Sequence, residues 1–239
     1  MLFTSSGGRS AAPSFRPVSR LVSQAAFFLY ALCRMDIESI SSALDAFYQA
    51  SKLCADQVLG EFERRKQPLQ LPVLPGVHLS PELAYFYANY RCDALFRNPG
   101  IVFTPVEKLV RRQEGFASFS TDQGKTMQPN PAWNKHWIVF ADLNDDPIVA
   151  DTSAPETPVY AAIEAVDYKL LTPSLADFFY VLAKAMGVAA SLKSQQPTSD
   201  DTEEWIAFGA EIEAPATLAA LRDVVADQYI EAIGHFFYS

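Results

Sequence analysis

Two short apolar runs on either side of a polar stretch constrain this fold more than any other feature of the chain. Residues 137–142 read Trp-Ile-Val-Phe-Ala-Asp and residues 147–151 read Pro-Ile-Val-Ala-Asp, while residues 143–146 between them read Leu-Asn-Asp-Asp. Val, Ile and Phe favour strands, and Asn and Asp are common in tight turns because they tolerate a left-handed backbone. The pattern therefore predicts two strands joined by a tight connection.

The remaining patterns predict an α+β fold. Helices are predicted to begin at three capping signals, Ser80-Pro81, Thr104-Pro105 and Thr172-Pro173. Short strands are predicted at residues 101–103, 115–119, 136–141, 147–151 and 157–163. We expect a mainly antiparallel sheet with helices packed against one side.

Two amphipathic stripes extend this domain at its ends. Apolar residues from Ile37 to Phe62 recur at intervals of three, four or seven, which predicts a long N-terminal helix. A second stripe, from Leu218 to Phe236, predicts a helix beginning near Pro215. The predicted organisation is an α+β domain at 35–192, then a linker and C-terminal helical extension at 193–239. We expect the extension to pack on the main domain, or else to seal a dimer, because its stripe would otherwise be a large exposed apolar surface.

Residues 1–34 form a distinct leader. Residues 1–20 are rich in Ser, Gly, Pro and Arg, which predicts disorder, and residues 21–33 are apolar. That run is too short to span a membrane, and no cleavage site of small residues follows it. Translation from Met35, with an artefactual upstream start, is the favoured interpretation; a helix docked on the domain and export are the alternatives.

The charge balance points to a basic partner. The whole chain has a net charge of −9, and residues 35–239 alone carry 15 basic against 28 acidic residues, a net charge of −13. Nucleic-acid binding depends on neutralising phosphates, so a domain this acidic is a poor candidate for it. A basic protein surface is the better match.

Cysteine usage indicates a reducing compartment. Cys33, Cys54 and Cys92 are widely separated and form no Cys-x-x-Cys pair. Neither a disulfide framework nor a zinc site is therefore expected, and the predicted location is the cytoplasm.

Four aspartates cluster around the predicted hairpin: Asp142, Asp145, Asp146 and Asp151. They could bind a divalent cation, but the spacing matches no EF-hand loop, so solvated turn formers or a partner-binding acidic patch are favoured and no metal is predicted. Trp133, in a Pro-containing loop, is a further candidate for partner contact because Trp is common in binding hot spots. The predicted partner-binding residues are these five.

Motifs that would mark catalysis are missing from the sequence. It contains no nucleophile elbow, no Gly-rich phosphate loop and no dinucleotide fingerprint, and its three His residues are scattered. No catalytic residue and no cofactor is therefore predicted. A hydrolase with a carboxylate site remains the alternative among enzymes.

About half of the chain, residues 70–190, resembles the SUKH superfamily, which includes bacterial toxin-immunity proteins and their relatives among the yeast cell-wall-synthesis regulators. The segments that carry the resemblance are LSPELAYFYANY, WIVFADLNDDPIVADTS, TPVYAAI and TPSLADFFYVLAKAM. Many members have a Gly-rich turn where this chain has residues 142–146 without glycine.

The resemblance implies a non-catalytic binding protein. It would neutralise a bacterial toxin, here one with a basic domain, by occluding the toxin's active surface. The alternative is a regulatory or scaffold protein that binds a cellular partner through the same domain, as the yeast relatives suggest. A toxin gene beside this one would favour the first interpretation.

Overall fold

The computed structural model describes residues 40–97, 99–121, 126–164, 166–199 and 201–238. The leader 1–34 and the first residues of the predicted N-terminal helix lie outside these ranges. The helices are α1 (Ile40–Leu53), α2 (Pro81–Asn89), α3 (Leu109–Arg112), α4 (Leu175–Leu192), α5 (Thr202–Phe208), α6 (Ala214–Leu221) and α7 (Asp227–Tyr238). The strands are β1 (Val58–Arg64), β2 (Tyr90–Phe96), β3 (Ile101–Phe103), β4 (Ser118–Thr121), β5 (Thr126–Pro129), β6 (Trp137–Leu143), β7 (Asp146–Asp151), β8 (Val159–Ile163) and β9 (Val166–Thr172).

A seven-stranded antiparallel sheet is the centre of the fold. Its strand order is β1-β2-β3-β6-β7-β8-β9, and β4 and β5 form a separate two-stranded hairpin. Within this sheet, each strand pairs with the next strand of the same sheet along the chain. The β4–β5 hairpin lies between β3 and β6 in sequence but not in the sheet. With helices packed on this sheet, the predicted α+β class is confirmed.

The β6–β7 hairpin forms as the sequence predicts. Leu143 pairs with Asp146, so the connection consists of Asn144 and Asp145, with φ of 52° and 72°. A two-residue loop with positive φ at both positions matches the right-handed twist of the strands and favours Asn, Asp and Gly. Asn and Asp here occupy positions at which glycine is also common.

The N-terminal helix is shorter than predicted, because α1 ends at Leu53 and Val58 and Phe62 lie on β1. A spacing of four residues places side chains on one face of a helix and also on one face of a strand. The conformation of Gly60 is incompatible with a continued helix. Its φ is +112°, and a Cβ at this position would lie 2.3 Å from the carbonyl oxygen of Asp93. Such a backbone does not fit a helix.

Helices α1, α2 and α4 pack on one face of the sheet, which we call the inner face. The rings of Phe47, Phe86, Phe103 and Phe179 meet there, with centroids 5.1–6.1 Å apart where they contact. Ser174 caps α4 just before its first residue: its hydroxyl accepts a hydrogen bond from the backbone N–H of Asp177. The segment Leu175–Gln195 is long and apolar enough to cross a membrane, but 72% of its most apolar window is buried inside the protein, as in a core helix.

The apolar stripe from Leu218 to Phe236 predicts one helix, but the structure has two along it, α6 and α7. The helix breaks after Leu221, and α7 begins at Asp227. Leu221 and Ile233 are fully buried in the main core, and α7 lies against β8 and β9. The break lets both helices turn apolar side chains toward one core.

Candidate functional site

Side chains along β6 and β7 alternate between the inner core and the opposite side of the sheet. We call that opposite side the outer face. Ile138, Phe140 and Ala150 belong to the inner core, so Trp137, Val139 and Asp151 point the other way. A bulge between Val139 and Ala141 shifts the alternation, which places Asp142 on the outer face as well. The predicted binding residues therefore lie mainly on this side of the sheet.

Five partly exposed rings meet on the outer face: Phe116, Trp133, Trp137, Tyr160 and Tyr168. We call them the outer aromatic cluster. Trp137 is its centre, with ring centroids 5.6 Å from Trp133, 5.3 Å from Tyr160 and 4.9 Å from Tyr168. Phe116 lies 5.8 Å from Trp133 and extends the cluster toward α3.

Trp133 is fixed by a local turn. The backbone N–H of Trp133 donates to the carbonyl of Asn130, and the Asn130 side chain accepts from the N–H of Ala132 at 3.1 Å. The indole Nε1 of Trp133 then donates to the carbonyl of Trp137 at 3.2 Å. Its ring is thus held rigidly while remaining partly exposed.

Arg112 links the first aspartate to the cluster. Its Nη2 lies 3.1 Å from Oδ2 of Asp142, and its guanidinium lies over the Phe116 ring, 5.4 Å from the centroid. Burial raises the pKa of Asp142, while the positive charge of Arg112 acts in the opposite direction. The pair leaves little net charge at this position.

Asp145 and Asp146 have different surroundings at the turn. Asp145 is exposed at the loop position with φ of 72°. The carboxylate of Asp146 accepts a hydrogen bond from the backbone N–H of Glu164, which joins the β6–β7 turn to the β8–β9 turn. Of the four aspartates, Asp145 presents its charge to solvent most openly.

Asp151 lies at the far end of the β6–β7 ladder, paired with Trp137. Its Oδ2 accepts from the indole Nε1 of Trp137 at 3.3 Å, and its Oδ1 accepts from the N–H of Ser153 at 2.9 Å. The four aspartates are therefore divided between the two ends of the cluster. Across the described ranges, no three His, Cys, Asp or Glu side chains are grouped so that they could hold a metal ion.

The two tyrosines of the cluster are held in their neutral form. Burial, with a contribution from the negative charge of Asp146, raises the pKa of Tyr168 to about 12. Burial, with a contribution from Asp151, also raises the pKa of Tyr160. The negative charge of Asp146 therefore acts on Tyr168, and that of Asp151 acts on Tyr160.

All five predicted residues lie along one chain of contacts on the outer face or at the hairpin turn beside it. Sequence analysis did not identify Arg112, Phe116, Tyr160 or Tyr168 as part of it. Tyr160 lies on a predicted strand, at a position whose side chain faces away from the core. The alternation of inward and outward side chains along that strand was therefore the signal that could have identified it. The other three carry no motif, because their place depends on tertiary contacts.

Comparisons with protein-family models, with curated proteins and with solved structures find no match for this chain.

Proposed function

We propose that this protein is a non-catalytic binding protein of the SUKH type, which neutralises a bacterial toxin by covering the active surface of a basic toxin domain with its outer aromatic cluster. The observation that carries the proposal is the cluster itself: five rigidly packed, partly exposed rings with aspartates at both ends. Trp and Tyr supply large contact areas with few rotatable bonds and dominate many binding hot spots.

The charge of the chain supports the choice of partner. Enzymes that act on nucleic acids need basic surfaces to hold phosphates, and an inhibitor with a net charge of −9 is attracted to such surfaces. Asp145 places one carboxylate at the tip of the hairpin beside the cluster, where a basic group of the partner can pair with it.

Most of the carboxylates around the cluster already have partners within the protein, which favours a binding surface over a catalytic site. The carboxylates of Asp146 and Asp151 accept bonds from backbone and indole N–H groups, and Asp142 is paired with Arg112. These contacts hold the surface in one conformation, which lowers the entropic cost of binding. The family resemblance of residues 70–190 is consistent with the same role.

Co-expression tests the proposal. The neighbouring genes are searched for a toxin domain, the full chain is expressed together with that domain, and survival of the cells is counted. We expect survival with the natural surface and loss of survival with Trp133→Leu, provided that circular dichroism shows the variant folded. Survival that is equal for both proteins, or absent with the natural protein, would contradict the proposal.

A further inference from the structure

A second surface, far along the chain from the outer aromatic cluster, combines exposed apolar side chains with acidic ones. It consists of Asp201, helix α5 and the π-helical segment Gly209–Glu213 that follows. We call it the acidic knob. Every residue from 201 to 207 is exposed, and Phe208 anchors the helix because it is buried.

Three large apolar residues of the knob face solvent. Trp205 is 43% exposed, Ile206 65% and Ile212 39%. Single exposed apolar residues are ordinary on soluble proteins, whereas large exposed apolar patches mark interaction sites; Trp205 and Ile206 are adjacent in the chain and are both exposed.

Trp205 is fixed rather than free. Its indole Nε1 donates to the carbonyl of Ser199 at 3.0 Å, and its ring contacts Phe208 at 6.3 Å between centroids. The hydroxyl of Ser199 also donates to Glu204, and Asp201 caps the helix by accepting from the N–H of Glu203. A large ring held in place before binding loses little entropy when it becomes an anchor.

The charged residues of the knob itself are all acidic. Residues 201–221 contain five acids and no Lys, Arg or His: Asp201, Glu203, Glu204, Glu211 and Glu213. A second copy of this chain would bring the same acids against each other, and an anionic lipid surface would repel them. The sign of the charge therefore selects a basic occupant.

A groove beside Trp205 extends the surface toward the start of β1. Its lining includes Asp56, Gln57, Arg97, Gln196 and Glu213, and Asp56 is already paired with Lys193 at 2.8 Å. The side-chain oxygen of Gln57 is shielded from solvent and has no hydrogen-bond partner among the described residues. A ligand that donates an N–H at this point would bond an otherwise unused acceptor.

We propose that the acidic knob is a docking surface for a basic amphipathic segment of a partner protein. Trp205 and Ile206 insert against the apolar side of that segment, and the surrounding carboxylates pair with its Lys or Arg side chains. This surface shares no residue with the outer aromatic cluster.

Indole NMR of the ¹⁵N-labelled protein tests the proposal. The probe is a synthetic amphipathic peptide of about 15 Leu and Lys residues, long enough to form a helix; a Leu/Glu peptide of the same pattern is the control. Trp205, assigned with Trp205→Phe, should shift on titration with the Leu/Lys peptide, whereas the indole signals of Trp133 and Trp137 should stay in place. The Leu/Glu peptide should produce no shift.

The variant Ile206→Ser separates docking from simple charge attraction, because it removes an apolar anchor and keeps every acid. We expect its affinity for the Leu/Lys peptide to fall by about tenfold, which corresponds to about 1.4 kcal/mol. Val73→Ser is the matched control, since Val73 is 92% exposed outside the knob, and it should bind like the natural protein.

Three results would overturn the proposal: a Trp205 signal that does not move, equal binding of both peptides, or unchanged affinity in Ile206→Ser. Self-association that Ile206→Ser abolishes would show instead that a second copy occupies the knob. Survival in the co-expression test does not depend on these results, so the two proposals can fail separately.

Discussion

The side chain of Gln113 takes the place of a neighbouring strand beside Val139. Its Nε2 donates to the carbonyl of Val139 at 2.9 Å, and its Oε1 accepts from the N–H of Val139 at 3.0 Å. The same Nε2 donates to the carbonyl of Leu109. β3 pairs with β6 only from Ile101 to Phe103, opposite Leu143 to Ala141, so these backbone groups next to the bulge are bonded by a side chain.

Replacing Gln113 with Leu should destabilise the protein by about 2–4 kcal/mol, because a buried N–H and a buried carbonyl lose their partners. The measurement is the free energy of unfolding in urea. Gln128→Leu is the control: Gln128 is exposed on β5, and its substitution should change the stability little. Equal stability of the two variants would show that other groups satisfy Val139.

Leu221→Asp should cost about 2–4 kcal/mol, because it buries an unpaired carboxylate in the core. Leu221 is fully buried at the end of α6, whereas Ala219 on the same helix is exposed. Ala219→Asp therefore serves as the matched control and should leave the unfolding midpoint nearly unchanged. A midpoint equally insensitive to Leu221→Asp in a monomer would mean that α6 does not contribute to the core in solution.

Stability should depend on pH through Glu82. Burial raises the pKa of Glu82 to about 7, and the negative charges of Asp177 and Glu156 add to the shift, although the carboxylate accepts a bond from the N–H of Leu175 at 3.2 Å. The folded state therefore binds more protons than the unfolded state between pH about 4.5 and about 7, so stability falls as pH rises through that window.

Glu82→Gln removes this effect while it keeps an oxygen that can accept the bond from Leu175. The variant should be more stable than the natural protein at pH 8, and the difference should shrink at pH 5. Urea midpoints at the two pH values measure it, with the exposed Glu107→Gln as control. A difference that is the same at both pH values would show that Glu82 does not titrate in this window.

The sequence predicts the β6–β7 hairpin well because its signals are local: strand-forming residues flank Asn144 and Asp145, which accept positive φ. It does not predict β1, since the spacing of Val58 and Phe62 fits a helix face as well as a strand face. β2 follows α2 with no Gly or Pro between them, so no breaker marks its start.

The sequence predicts only part of the candidate site, because the rest depends on contacts between residues that are distant in the chain. The aspartates and Trp133 stand out by composition and position in the sequence. The pair of Arg112 and Asp142 joins residues from α3 and β6, and such a contact exists only after the sheet has formed. Tyr168 lies on β9, where Asp167, Lys169 and Thr172 interrupt the apolar residues and give a weak strand pattern.

The central claim, that the outer face binds a basic toxin domain, is tested most directly by the rate of association. The neighbouring genes are searched for a toxin domain, and that domain is mixed with the natural protein and with Asp145→Asn combined with Asp146→Asn, which keeps oxygens at both positions. Asp145 is exposed, and Asp146→Asn keeps an oxygen that can accept the hydrogen bond from the N–H of Glu164, so the unfolding midpoint should barely change. We predict association several-fold slower for the variant at low salt and a difference that shrinks as salt is added, because salt screens steering. An association rate at low salt that is the same for both proteins would contradict the claim.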